Sequence, residues 1–98
     1  MKPAPSLTED AAEGLAIQAF TFIAGDGERL GRFLAQTGIG PARIRAAAQE
    51  PGFLAGVLAY MAGDQRLLAQ FAGDTGIDPA DIGKALAALG QHWERDIP

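Results

Sequence analysis

Two stretches of the chain decide its fold: FLAQTGIGPARI at residues 33–44 and FAGDTGIDPADI at residues 71–82. Each has an apolar run, then Thr-Gly-Ile, then Pro-Ala. Glycine just past the end of a helix and proline at the first position of the next are the residues that these positions favour. Both stretches therefore predict a helix, a short turn and a second helix.

The two stretches belong to a longer internal repeat. When the sequence is shifted by 38 residues, residues 15–50 align with residues 53–88 without gaps, and twelve aligned residues are identical. Ala24-Gly25-Asp26 meets Ala62-Gly63-Asp64, for example. Two copies are too few for an open solenoid, so the repeat predicts a closed bundle of two pseudo-repeated helix-turn-helix units.

The spacing of apolar residues and the capping residues predict an all-α fold, a compact bundle of five to six short helices in a single domain, 1–98. The tails 1–5 and 95–98 are expected to be flexible. Ser6 and Glu9 have capping-box spacing, and the Gly38 turn is expected to form a Schellman ending in which Ile39 folds back on Leu34. The predicted helices are 7–24, 27–37, 41–49, 51–62, 65–75 and 79–93.

Composition limits the function classes. Hydrophobic residues make up 48% of the chain, and many are alanine, which predicts a thin core that depends on close helix packing. The formal net charge of −4 argues against general attraction to nucleic acid or anionic lipid. Cysteine is absent, which excludes disulfides and thiolate chemistry. With no secretory signal pattern and no apolar run of membrane-spanning length, we expect a cytoplasmic protein without a membrane segment.

One segment has the layout of a DNA-reading helix-turn-helix. Residues 33–44 place a glycine-containing turn between two short helices, and the first repeat carries a local cluster of arginines. However, the would-be recognition helix begins Gly40-Pro41-Ala42, which offers no side chain to hydrogen-bond a base. Nucleic-acid binding is therefore the alternative function. The candidate contact residues for nucleic acid or a protein partner are Arg29, Arg32, Arg43 and Arg45.

Other polar residues have simpler structural explanations. Asp74, Asp78 and Asp81 lack the ligand spacing of a calcium loop, and Asp78 and Asp81 suit the start of a helix. His92 is the single histidine and has no cysteine or second histidine beside it. We therefore expect no catalytic residue, no metal site and no cofactor, and a protein that is not an enzyme.

The aromatic residues favour a protein partner. Phe20 and Phe22 lie about 200° apart on a helix, so one core cannot easily bury both. Phe53 and Trp93 are also expected to be partly exposed. Exposed aromatic side chains are typical of interfaces, so the leading hypothesis is a protein–protein interaction module, binding another protein or a second copy as a homodimer. A small-molecule carrier with a pocket between the repeats stays open.

The repeated Thr-Gly-Ile-x-Pro-Ala-x-Ile segments and the Gly-Asp-x-x-x-Leu motif resemble a family of small proteobacterial proteins of unknown function. The resemblance covers roughly residues 10–90 and implies a compact helical fold in the bacterial cytosol, with no activity or site residues. The residues that carry it are Ala24-Gly25-Asp26, Leu30, Phe33-Leu34, Thr37-Gly38, Pro51, Phe53-Leu54 and Phe71.

Overall fold

The structure, a computed structural model, describes residues 8–50 and 52–95, with side chains as far as Leu89. These residues form six α-helices and a single 3₁₀ turn, and no strand occurs among them. The all-α prediction is confirmed. The tail 1–5, Ser6 and Pro51 lie outside the described residues, as do residues 96–98 of the predicted tail 95–98, whereas Arg95 is the last residue of α6. The helices are α1 Glu9–Ala24, α2 Gly27–Thr37, α3 Ile44–Ala47, α4 Phe53–Ala62, α5 Gln65–Thr75 and α6 Pro79–Arg95, and the 3₁₀ turn Pro41–Arg43 precedes α3.

Side-chain caps set the helix starts. The Asp26 carboxylate accepts a hydrogen bond from the Arg29 N–H at 3.1 Å, and Asp64 accepts one from the Leu67 N–H at the same distance. Both predicted caps are confirmed, and they begin two helices of 11 residues each. The first helix is capped by Thr8, whose Oγ1 accepts from the Ala11 N–H at 3.1 Å. The predicted cap, Ser6, is thus replaced by a residue nearer the helix.

The two Thr-Gly-Ile segments end α2 and α5 in the same way. Gly38 and Gly76 have φ of 76° and 77°, the left-handed conformation that glycine adopts without strain. The N–H of Gly38 donates to the Leu34 carbonyl, and the Ile39 N–H is directed to the Thr37 hydroxyl at 3.4 Å. The ending is therefore the single-bond αL motif, and the predicted Schellman motif is wrong because the threonine hydroxyl takes the next N–H.

The core lies where the three helices α1, α4 and α6 meet. These helices pack on one another, while α2 packs on α1, and α5 packs on α4 and α6. Alanines let the helices approach closely, since Ala12, Ala16, Ala19 and Ala85 are fully buried. The larger side chains that are fully buried between them, or nearly so, are Ile23, Phe33, Val57, Leu58, Met61, Phe71 and Ile82.

The repeat symmetry fails at α3, where a helix over 41–49 was expected. The chain forms a 3₁₀ turn followed by four α-helical residues, none of them buried. At the equivalent position the Asp78 carboxylate accepts from the Ala80 N–H at 2.9 Å, and α6 continues for 17 residues. Gly40 stands in place of Asp78 and supplies no side-chain cap. Ile44 is correspondingly only half-buried, whereas its counterpart Ile82 is fully buried.

The aromatic side chains pack more completely than the sequence predicts. Phe20 lies edge-to-face against Phe33 and Phe53, with ring centroids 5.9 Å and 5.2 Å away. Phe22 lies edge-to-face against Phe71 at 5.4 Å. The expectation of an exposed Phe53 is wrong, since it is only 9% exposed, and the two sides of α1 bury Phe20 and Phe22 against different helices. Among residues whose side chains are described, the exposed large apolar residue is Ile17, at 54%. The Trp93 side chain lies outside the described part.

Candidate functional site

A groove of about 570 Å³ separates α2 from α5, the equivalent helices of the two repeats. The α2 helix packs on α1 and, through Phe33, on α4, while α5 packs on α4 and α6, so the two helices form the walls of the groove. The groove is a wide concavity that is open to solvent. Its lining residues are mostly polar and come from both repeats: Phe22, Asp26, Glu28, Arg29, Arg32, Arg66, Gln70, Gly73 and Asp74.

Arg29 is held in place at the groove wall. Its guanidinium carbon lies 4.0 Å from the centroid of the Phe22 ring, within the range of a cation–π interaction. Its Nε lies 3.6 Å from an Asp26 carboxylate oxygen, and a terminal guanidinium nitrogen donates to the Phe22 carbonyl at 3.5 Å. The arginine side chain remains about one-third exposed. The contacts fix the plane of the guanidinium and leave part of it open to the groove.

Arg32 lies on α2 and Arg66 lies on α5, so the two arginines are on opposite walls of the groove. Neither forms a salt bridge with a described acid. Within residues 8–50 and 52–89, whose side chains the structure describes, the salt bridges join Arg29 to Asp26 and Lys84 to Asp81. Arg32 and Arg66 take part in neither, and both residues are exposed. A guanidinium offers five N–H donors, so these two side chains present unused hydrogen-bonding capacity to a ligand.

A smaller cavity of about 50 Å³ adjoins the groove and shares its arginines. It is lined by Arg29, Arg32 and Arg66 together with Tyr60, Asp64, Leu67 and Gln70. Asp64 is the only acid on its wall, and that carboxylate already accepts the Leu67 N–H. The acids Asp26, Glu28 and Asp74 line only the larger cavity. The groove therefore has an arginine-rich part and a part that also contains acids.

The structure divides the arginine cluster that the sequence singled out. Arg29 and Arg32 line the groove, whereas Arg43 and Arg45 lie exposed on the 3₁₀ turn and α3, away from its walls. Arg66 joins the first two from the second repeat. Its aligned residue in the first repeat is Glu28, so neither the local cluster nor the repeat indicated it. Only the packing of α5 brings Arg66 to this site.

Other sequence candidates have structural roles. Asp78 caps α6, as predicted, and Asp81 pairs with Lys84 at 3.8 Å. No group of three or more His, Cys, Asp or Glu side chains in the described part of the chain could hold a metal ion. The His92 side chain is outside that part. None of the helices over the described ranges combines the length and apolar character needed to cross a membrane.

Comparison with known proteins places this fold in a family without an assigned activity. A family model described as "Protein of unknown function (DUF3572)" matches residues 9–92, which includes all six helices almost completely. No protein of curated function and no solved structure matches the chain.

Proposed function

The chain belongs to the DUF3572 family, whose function is unknown, and from that premise we propose that it is a non-enzymatic protein–protein interaction module. The groove between α2 and α5 is the binding surface. The observation that carries the proposal is the presence of two exposed, unpaired arginines, Arg32 and Arg66, on opposite walls of one concave site. The cytoplasm is the proposed compartment.

Several properties of the groove support a partner protein. Arginine is enriched at protein interfaces, because its planar guanidinium forms several directed hydrogen bonds and also stacks on apolar groups. Both walls are helices fixed to the core, so the groove is formed before a partner arrives and little ordering entropy is lost on binding. Partner binding is thus supported by the charge and the rigidity of the site.

The lining chemistry supports binding without catalysis. The residues around both cavities include no Ser, Thr, Cys or His, and two of the carboxylates, Asp26 and Asp64, already accept backbone N–H groups as helix caps. The aromatic residues expected to be exposed do not support the interaction module, since Phe20, Phe22 and Phe53 pack against other aromatic rings. The surface that supports partner binding is instead the arginine-lined groove.

Nucleic-acid binding is not favoured by this arrangement. The segment that suggested a recognition helix forms a 3₁₀ turn and a single α-helical turn. A reading helix must extend its side chains along the major groove, which such a short element does not do. Three acids also line the larger cavity and would repel a phosphate backbone.

The proposal is tested by affinity capture from cells that express the tagged full-length chain. Two double variants carry equal changes of charge: Arg32→Glu with Arg66→Glu alters the groove, and Arg43→Glu with Arg45→Glu alters exposed arginines outside it. We expect a protein captured by the wild type to be lost by the first variant and retained by the second. Loss from both variants, or from neither, contradicts the groove as the binding surface.

The protein bound in the groove could instead be a second copy of the chain, which would make a homodimer. Sedimentation velocity of the same three proteins over a wide concentration range distinguishes the two cases. A dimer of the wild type that dissociates only in the Arg32→Glu, Arg66→Glu variant would make the partner a second copy. A monomer at all concentrations leaves a different protein as the partner.

A further inference from the structure

The arginine-rich cavity is a built site for one anionic group. Three arginine side chains line a space of about 50 Å³, which is of the order of the volume of a carboxylate group. Arg29 is already oriented by Phe22 and Asp26, so its position does not depend on a ligand. Tyr60 and Gln70, also on the wall, add neutral hydrogen-bonding groups. The acid on this wall is Asp64, whose Oδ1 accepts the Leu67 N–H and caps α5, so three cationic side chains face one carboxylate.

The adjoining cavity has a different charge pattern. It is lined by the same three arginines and also by Asp26, Glu28 and Asp74, and of these acids only Asp26 is joined to an arginine. Glu28 and Asp74 are exposed. A ligand that continues from the arginine cavity into this part therefore passes from a cationic to a partly anionic surface.

We infer that the groove binds a protein segment in which an acidic side chain is followed or preceded by a basic one. The Asp or Glu carboxylate of that segment enters the cavity between Arg29, Arg32 and Arg66, where charge-assisted and bidentate hydrogen bonds are available. The Lys or Arg of the segment lies beside Glu28 and Asp74. This inference rests on the proposed function and names the chemistry of the partner.

Charge complementarity favours such a segment over a polyanion. A nucleic acid carries a phosphate at every nucleotide, so its second phosphate would lie against the acids of the larger cavity. A mixed-charge peptide instead satisfies both parts of the groove. Complementary charge of this kind gives specificity and a faster association rate more than raw affinity.

The experiment uses the full chain labelled with ¹⁵N and three probes. The first is a blocked glycine-spaced peptide with one glutamate and one lysine, the second has glutamine in place of the glutamate, and the third is a short thymidine oligonucleotide. The arginine side-chain N–H resonances are followed by NMR during each titration. Arg43 and Arg45 serve as internal controls, since they are exposed but lie outside the groove.

We expect the glutamate peptide to shift the resonances of Arg29, Arg32 and Arg66 and leave those of Arg43 and Arg45 unchanged. The glutamine peptide should bind roughly fivefold more weakly, the usual worth of one or two partly exposed ion pairs. The variant Arg32→Gln with Arg66→Gln should show a similar loss, while Arg43→Gln with Arg45→Gln should not. The backbone amide spectrum of each variant reports whether it is folded.

Three results would overturn the inference: no shift at millimolar peptide, equal shifts at all five arginines, or tighter binding of the oligonucleotide than of the glutamate peptide. If any one of these results is obtained while capture of the partner protein still requires Arg32 and Arg66, the proposal of an interaction module stands and the carboxylate site is wrong. If the peptide binds as expected but no captured protein depends on the groove, the proposed function fails and the anion site stands.

Discussion

The guanidinium of Arg29 lies over the ring of Phe22, 4.0 Å from its centroid. The same ring meets Phe71 edge-to-face at 5.4 Å, so Phe22 links the first helix of one repeat to α5 of the other and also supports a wall of the groove. Arg29, one of the candidate contact residues of the sequence, is thereby fixed by the packing between repeats.

Replacing Phe22 with leucine should lower the free energy of unfolding by about 1–2 kcal/mol, because the edge-to-face contact and the cation–π interaction are both lost. In a double-mutant cycle with Arg29→Gln, we expect a coupling of about 0.5–1 kcal/mol, measured by urea denaturation. The same cycle with Arg32→Gln is the control and should give no coupling. Equal coupling in both cycles would show that the stacking does not stabilise the fold.

Ala16 is fully buried on α1, the helix that packs on both α4 and α6. Ala16→Leu should destabilise the protein by about 1–3 kcal/mol, since the extra volume must push closely packed helices apart. Ala11→Leu makes the same change on the exposed side of this helix and should shift stability by less than about 0.5 kcal/mol. Thermal unfolding of both variants checks the prediction, and similar melting temperatures would contradict the close packing.

Gly38 and Gly76 have positive φ, so Gly38→Ala and Gly76→Ala should each cost about 1–2 kcal/mol even though there is room for a methyl group. Gly31 provides the contrast. It lies within α2 with open space around it, and Gly31→Ala should stabilise the protein by roughly 0.5–1 kcal/mol. The three variants are compared by their midpoints of denaturant unfolding. A loss of stability from Gly31→Ala as large as that from Gly38→Ala would contradict the difference between a helical Gly31 and a left-handed Gly38.

Gly40 and Asp78 occupy the same position in the two repeats. Asp78→Ala should cost about 1 kcal/mol through loss of the cap on α6, while Gly40→Asp should add a few tenths of a kcal/mol by capping the turn before α3. Amide hydrogen exchange gives a direct readout, because residues 41–47 should exchange faster than those of α4 and α6, and more slowly after Gly40→Asp. Unchanged exchange in that variant would mean that the missing cap is not what shortens this segment.

Local sequence determined where most helices begin and end. Asp26 and Asp64 cap their helices with their own carboxylates, and Gly38 and Gly76 end those helices by a backbone conformation that few other residues adopt. These interactions span three or four residues, so they are readable without knowledge of the fold. The predicted bounds of α2 and α5 are accordingly confirmed to the residue.

The tertiary structure decided which residues of those helices line the groove and which helices are central in the core. The sequence placed Arg29 and Arg32 together with Arg43 and Arg45, but packing of α2 on α1 and of α5 on α4 and α6 selected the first two and added Arg66. It also gave the central position to α6 and left its counterpart α3 short and unburied. A helix cap depends on residues that are neighbours along the chain. A groove depends on which face of each helix is buried in the core, and that burial is decided by residues far apart in sequence.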